Sequence, residues 1–267
     1  ARSMVLEPSM LIAVTREVSA SLADCQLSFV ERQPIDLALA RRQHAAYQQA
    51  LREAGCEVIE LPAADDLPDA VFVEDVALVL DELALMTRPG APSRRAEGES
   101  VAAALSQWRP LVHLQAPATL DGGDVLRIGR HVYVGASARS NDAAIDALRT
   151  ALAPWGYQVI QVPMRECLHL KSAVTALDDH CLLVNPEWVD PAHFGACQIL
   201  EVDEEEAHAA NILRIGRHWI YPACLPRTSA RLRAAGYAPR EVDVSELQKA
   251  EGAVTCCSLV FEAHPPG

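Results

Sequence analysis

Long apolar runs are missing from this chain. The nearest approach, Met10-Leu11-Ile12-Ala13-Val14, is too short for a membrane span or a signal segment and meets Arg16 and Glu17 almost at once. The sequence therefore reads as a soluble, cytoplasmic protein. Basic residues are also scarce: 23 Lys and Arg against 36 Asp and Glu leave a formal charge of -13. That sign disfavours a surface built for nucleic acid or anionic lipid and favours a small cation as ligand. Disulfide-type spacing is absent too, because the eight cysteines are scattered without CxxC pairs or the density of a stapled scaffold. Extended linkers are lacking as well. Pro89, Pro92, Pro110, Pro117, Pro154 and Pro163 only punctuate short connections, so residues 1–267 read as one domain, half apolar and able to bury a substantial core.

What the chain does have is an internal repeat. Leu126-Arg127-Ile128-Gly129-Arg130-His131 recurs without change as Leu213-Arg214-Ile215-Gly216-Arg217-His218. Each copy continues into a second apolar strand, so each reads as a hairpin turning at its glycine. The outline returns at Val76 to Thr87, around Asp81-Glu82, and at Val174 to Val184, around Asp178-Asp179-His180. Amphipathic helices are expected over Glu97 to Trp108, Asp142 to Pro154 and Arg227 to Ala235, each leading to a further strand such as Gln158 to Val162. A fifth unit forms only by joining the ends, with Ser258 to Glu262 beside Met10 to Thr15, then a helix over Asp36 to Ala54 and a strand over Glu57 to Leu61. The helix places Leu37, Ala40, His44, Tyr47 and Leu51 on one face and leaves Arg41 and Arg42 solvated. Closure makes a ring without exposed sheet edges, and its centre is the natural concave site.

Several segments break the apolar logic around them. Glu74 and Asp75 interrupt Val71 to Val76, a run that otherwise reads as a buried strand, and burial of unpaired carboxylates is expensive. They suit either a cationic ligand or an ordinary ion pair at a solvated strand end. Asp121-Gly122-Gly123-Asp124 permits close backbone approach and is also ordinary turn chemistry. His169, between two leucines, suits either proton transfer or a core position. Arginines follow second strands in Thr87 to Arg95 and Ser137 to Asn141, where guanidinium forks could hold a carboxylate. Last come Cys256 and Cys257, thiols placed at a strand end, which fits a nucleophile or two small core residues.

Phe72 to Ala77 (FVEDVA), Arg88 to Arg95 (RPGAPSRR), Thr119 to Leu126 (TLDGGDVL), Leu168 to Ser172 (LHLKS) and Gly252 to Ser258 (GAVTCCS) together resemble the dimethylarginine dimethylaminohydrolase family, in order across nearly the whole chain. The resemblance implies an α/β fold, the five-bladed α/β propeller of the guanidine-modifying superfamily, with pseudo-fivefold ββαβ repeats and one repeat closed by the N- and C-terminal strands. It implies Cys256 as nucleophile, His169 as general acid and base, and Asp121 as the carboxylate supporting that histidine. Glu74 and Asp75 match acids of the guanidinium site. Arg94 and Arg139 match arginines that hold the substrate α-carboxylate, and Asp69 matches a further substrate-binding acid. Leu27 and Ala250 match positions that meet the amino-acid end of the substrate through backbone atoms.

The implied activity is hydrolysis of Nω,Nω-dimethylarginine and Nω-monomethylarginine to citrulline and the methylated amine, through a covalent cysteine intermediate. The implied partner is the small cationic substrate, with no nucleic acid, no membrane, no cofactor and no resident metal, in a monomer or homodimer. Zinc at Cys256 and His169 lacks a full ligand set and reads as an inhibitor. An arginine deiminase-like or amidinotransferase-like enzyme of the same fold, or a guanidinium-binding module without catalysis, remains the alternative. Acids beside Cys256 are expected to keep its thiol neutral until a guanidinium arrives, and Cys257, read as its neighbour in a strand, is expected to face the other way.

Overall fold

The computed structural model describes residues 10–263. Its strands form five separate three-stranded sheets, and in each an antiparallel hairpin is followed by a third strand parallel to the hairpin's second. The hairpins are Ala77–Val79 with Ala84–Met86, Val125–Ile128 with His131–Gly135, Val174–Ala176 with Cys181–Val184, and Leu213–Ile215 with His218–Pro222. Leu111–His113, Gln158–Val162, Gln198–Glu201 and Arg240–Val242 complete those four sheets. The chain ends build the fifth: Leu259–Ala263 lies antiparallel to Met10–Arg16, which runs parallel to Cys56–Leu61. Five copies of one unit, one of them split between the termini, is the architecture expected.

A parallel third strand requires a crossover, and four of the five crossovers are helical: Leu37–Glu53, Gly98–Leu105, Asp142–Leu152 and Pro226–Ala234. Asp36 caps the first by accepting from the Leu39 amide at 2.9 Å, and Asn141 caps the third by accepting from Ala144 at 3.0 Å. The unit of Val174–Ala176 and Cys181–Val184 differs. Pro186 and Pro191 interrupt its crossover, which contains only the short 3-10 turn Pro191–Phe194. Helix Leu37–Glu53 buries Ala40, His44, Tyr47 and Leu51 as expected and leaves Arg41 and Arg42 exposed. It also buries Gln43 and Gln48, which reach Ser245 and Thr15 at 2.9 Å.

The repeated hexapeptide now has a physical reason. Gly129 and Gly216 hold φ of +57° and +56° at the first position of two-residue turns between paired Ile128 and His131, and between Ile215 and His218. The arginine before each turn returns to it: Arg127 donates to the Gly129 carbonyl and Arg214 to that of Gly216. Each also pairs with an aspartate in the hairpin turn of the preceding unit, Asp81 at 2.6 Å and Asp179 at 2.8 Å. These exposed pairs set the register between neighbouring units more than they stabilise the fold, at about 0–1 kcal/mol each. Apolar burial is divided into clusters between adjacent sheets and helices, and the polar site lies among them. Among the described residues no helix is long and apolar enough to cross a membrane.

Candidate active site

In every unit the segment entering the hairpin carries polar side chains, and these segments meet. Glu74 and Asp75 lie in the 3-10 turn Val73–Val76, Asp121 precedes the turn Gly122–Asp124, and His169 precedes the short helix Leu170–Ala173. Asn211 stands just ahead of strand Leu213–Ile215, and Thr255 and Cys256 stand ahead of Leu259–Ala263. Two sequence expectations are corrected here. Glu74 and Asp75 belong to a tight turn and are only 7% and 3% exposed, so neither a strand nor a solvated strand end describes them. Cys256 and Cys257 also lie in a turn, not a strand, although they separate as expected: Cys257 is fully buried in the core and Cys256 half-buried against it.

Cys256, His169, Asp75, Asp69, Arg94, Arg139, Ala250, Leu168 and Glu251 line one narrow cavity of about 20 Å³, with Gln26 and Phe72. Asp121 stands behind His169 and is fully buried. Its carboxylate lies 2.9 Å from His169 Nε2 and accepts from the Gly90 amide at 2.9 Å. On its other side His169 Nδ1 lies 3.9 Å from Asp75. Gly123 makes this approach possible, because a Cβ there would sit 2.6 Å from Nδ1 and 2.8 Å from the Asp75 carboxylate. Leu27 does not line the cavity; it packs half-buried against the neighbouring core, while adjacent Gln26 faces the cavity with its amide donating to Asp69.

The carboxylates are not bare. Asp75 accepts from Arg94 at 2.6 Å and from the Gly123 amide at 3.0 Å. Arg94 spends its other donors on Glu97, at 3.0 and 2.8 Å, and on the Asp69 and Phe72 carbonyls. Arg139 is less committed: it reaches Ser28 Oγ at 3.2 Å and stands 3.8 Å from Asp121. Glu74 is gripped by Lys171 on one oxygen and by the Thr255 hydroxyl at 2.9 Å on the other. Asn211 holds Thr255 at two points, donating to its hydroxyl at 2.9 Å and accepting from its amide at 3.1 Å. Asp124 accepts from Ser137, from Ser140 at 2.6 Å and from the Leu170 amide at 3.0 Å, which anchors the segment carrying His169.

Sequence reasoning assigned no role to Asp124, Lys171, Thr255, Asn211 or Glu97. Asn211 was findable, since it occupies in its unit the place that the acids, histidine and cysteine occupy in theirs. Glu97, three residues after Arg94 in a 3-10 turn, carries no comparable signal.

These neighbours set the protonation states. Burial disfavours charge on His169, yet Asp75, the Asp121 hydrogen bond and Asp124 outweigh it and raise the ring's pKa to about 9. Burial likewise opposes the Asp75 carboxylate, but His169 and Arg94 hold it down at about 2. Burial, then Glu74 and Asp75, push the Cys256 thiol well up, and Lys171 offsets little of this. Free of substrate at neutral pH, the site therefore pairs an imidazolium with a neutral thiol. Asp75, Asp121 and His169 offer donor atoms within 4.8 Å of one another, a set that could hold a metal ion. Arg94 already supplies the positive charge beside Asp75.

The family model described as N,N dimethylarginine dimethylhydrolase, eukaryotic, matches residues 13–259. A dimethylarginine dimethylaminohydrolase of Streptomyces coelicolor is 43% identical over 250 residues, 92% of this chain and 95% of that protein. The enzyme of that name from Pseudomonas aeruginosa is 36% identical over 250 residues, 93% of this chain and 98% of that protein. A solved structure of the Pseudomonas aeruginosa enzyme, a cysteine-to-serine variant complexed with citrulline, superposes with a TM-score of 0.90 at 35% identity, covering 94% of this chain and all of that one. This chain belongs to the dimethylarginine dimethylaminohydrolase family.

Proposed function

We propose that this chain, a single catalytic domain over residues 1–267, hydrolyses Nω,Nω-dimethylarginine and Nω-monomethylarginine to citrulline, releasing dimethylamine or methylamine. The observation that carries the reading is the joining of a half-buried thiol, an acid-supported histidine and two buried acids around one narrow cavity. The dimethylated guanidinium is a planar cation that keeps N–H donors on its two unmethylated nitrogens; Asp75 presents its carboxylate from the cavity wall, and Glu74, outside that lining, adds its charge. Asp69, the backbone near Leu27 and Ala250, and Arg139 face the amino-acid end. Arg139 meets the α-carboxylate, and Arg94, lining the same cavity with its donors committed to Asp75, Glu97 and two carbonyls, adds its positive field there.

The arriving cation offsets the field that keeps Cys256 protonated, so the thiol loses its proton to solvent and the thiolate attacks the guanidinium carbon. The tetrahedral adduct collapses as the C–N bond to dimethylamine breaks, and the imidazolium of His169 supplies the proton that the leaving nitrogen takes. An S-amidino cysteine remains. Water then adds to its central carbon while neutral His169 takes one proton; cleavage of the C–S bond returns the Cys256 thiolate, and the hydroxyl proton passes to solvent as the carbonyl of citrulline forms. Asp121 holds the ring through Nε2, leaving Nδ1 on the Asp75 side for the transfers. No step requires a cofactor. Eight free thiols suit a reducing compartment, and we place the enzyme in the cytoplasm as a monomer or homodimer.

The test supplies arginine, monomethylarginine and asymmetric dimethylarginine separately and measures citrulline, ammonia and the methylated amines. Dimethylamine and citrulline in equal amounts from the dimethylated substrate are expected. Citrulline with ammonia from arginine alone would make the protein a deiminase, and binding without product a guanidinium-binding module.

A further inference from the structure

Glu251 takes part in none of these steps, yet it adopts an unusual conformation beside them. Its φ is +59°, in the left-handed region that a side-chain-bearing residue rarely enters. From there its carboxylate receives three successive backbone amides of a segment more than two hundred positions away in sequence: Ser28 at 2.9 Å, Phe29, and Val30 at 2.9 Å, all on Oε1. Oε2 adds a second contact to Ser28 at 3.1 Å. Successive amides aimed at one anion form a concave anion-binding nest, and such charge-assisted bonds are stronger than neutral ones. Gly252, the next residue, fixes the position from behind, since a Cβ there would strike the Phe72 ring at 2.3 Å.

Both segments joined by this carboxylate line the cavity, one through Gln26 and the other through Ala250 and Glu251. The remaining ties of the Gln26–Val30 segment run to cavity residues as well, from the Gln26 amide to Asp69 and from Arg139 to Ser28. The cavity these segments line is narrow, so the spacing of its walls depends on how the two segments are tied together. Resting on the function proposed above, we infer that Glu251 is a positioning residue. By holding the Ser28 to Val30 amides it keeps the Leu27 and Ala250 backbones against the amino-acid end of the bound substrate.

Kinetics of Glu251→Ala, Glu251→Gln and Glu251→Gly on asymmetric dimethylarginine test this, beside thermal unfolding of each. Loss of this tie weakens the hold on the amino-acid end and leaves Cys256 and His169 in place. Glu251→Ala is therefore expected to raise KM about tenfold, with kcat within about twofold of the parent. Glu251→Gln keeps a neutral acceptor and falls between. Glu251→Gly relieves the backbone strain without restoring an acceptor, so it matches Glu251→Ala in KM although it unfolds no earlier. A merely structural role predicts instead that glycine restores KM. That result, an unchanged KM in Glu251→Ala, or an equal fall in kcat for all three variants would overturn the inference. Failure of the functional reading is separate and shows in the wild type, as absence of dimethylamine.

Discussion

His169 is held as an imidazolium by the acids around it, and this has a measurable price in stability as pH rises. Moving its proton affinity from 6.5 to about 9 corresponds to about 3 kcal/mol of preference for the charged ring in the folded state. Because the folded pKa is raised, the folded protein binds more protons than the unfolded chain between those values. The contribution is fully present below pH 6.5 and is lost as pH rises through about 9. The ring is only 6% exposed, so solvent screening removes little of it, and Asp75, Asp121 and Asp124 are the charges that face it. The assay is urea unfolding of the wild type and of His169→Gln across that range. The wild type is expected to lose about 3 kcal/mol relative to the variant between neutral and alkaline pH, and the imidazole resonances of His169 to titrate in the alkaline range. A flat difference between the two proteins, or a ring titrating at or below 6.5, would refute the reasoning.

Other perturbations probe the neighbouring groups. Gly123→Ala places a methyl against His169 and Asp75 and should cut kcat at least tenfold while the protein still folds, as circular dichroism can check. Lys171→Met leaves the Glu74 carboxylate buried without its cation and should destabilise by about 3 kcal/mol; adding Glu74→Gln should recover most of that in thermal unfolding, though not activity. Alkylation of Cys256 by a neutral haloacetamide should be slow in the free enzyme at neutral pH and accelerate with alkalinity, whereas fast, pH-independent modification would mean that the thiolate exists before substrate arrives.

Much of this was legible because the chain repeats its geometry. Two identical hexapeptides revealed the hairpin, and glycine in the left-handed region at each turn explains why that signal was sharp. The pairing of the two terminal strands with each other followed from counting the remaining strands. Cys256, His169 and Asp121 were legible as motif members, since each stands at the entry to its own hairpin. Less visible were contacts between units. Arg94 reaching Asp75, or Asn211 orienting Thr255 against Glu74, depends on side chains brought together from segments distant in sequence, and no local pattern encodes it. The strand expected across Glu74 and Asp75 failed for a related reason. Their apolar neighbours mark burial in any conformation, and a tight turn turns both carboxylates inward where an extended strand would have separated them.

The account depends most on attack by Cys256 at the guanidinium carbon. Its most direct test is citrulline and dimethylamine formation from asymmetric dimethylarginine by the wild type and by Cys256→Ser. The prediction is stoichiometric release of both products by the wild type and none above background by the variant, which should still bind citrulline. Turnover by Cys256→Ser at a rate near that of the wild type would contradict it.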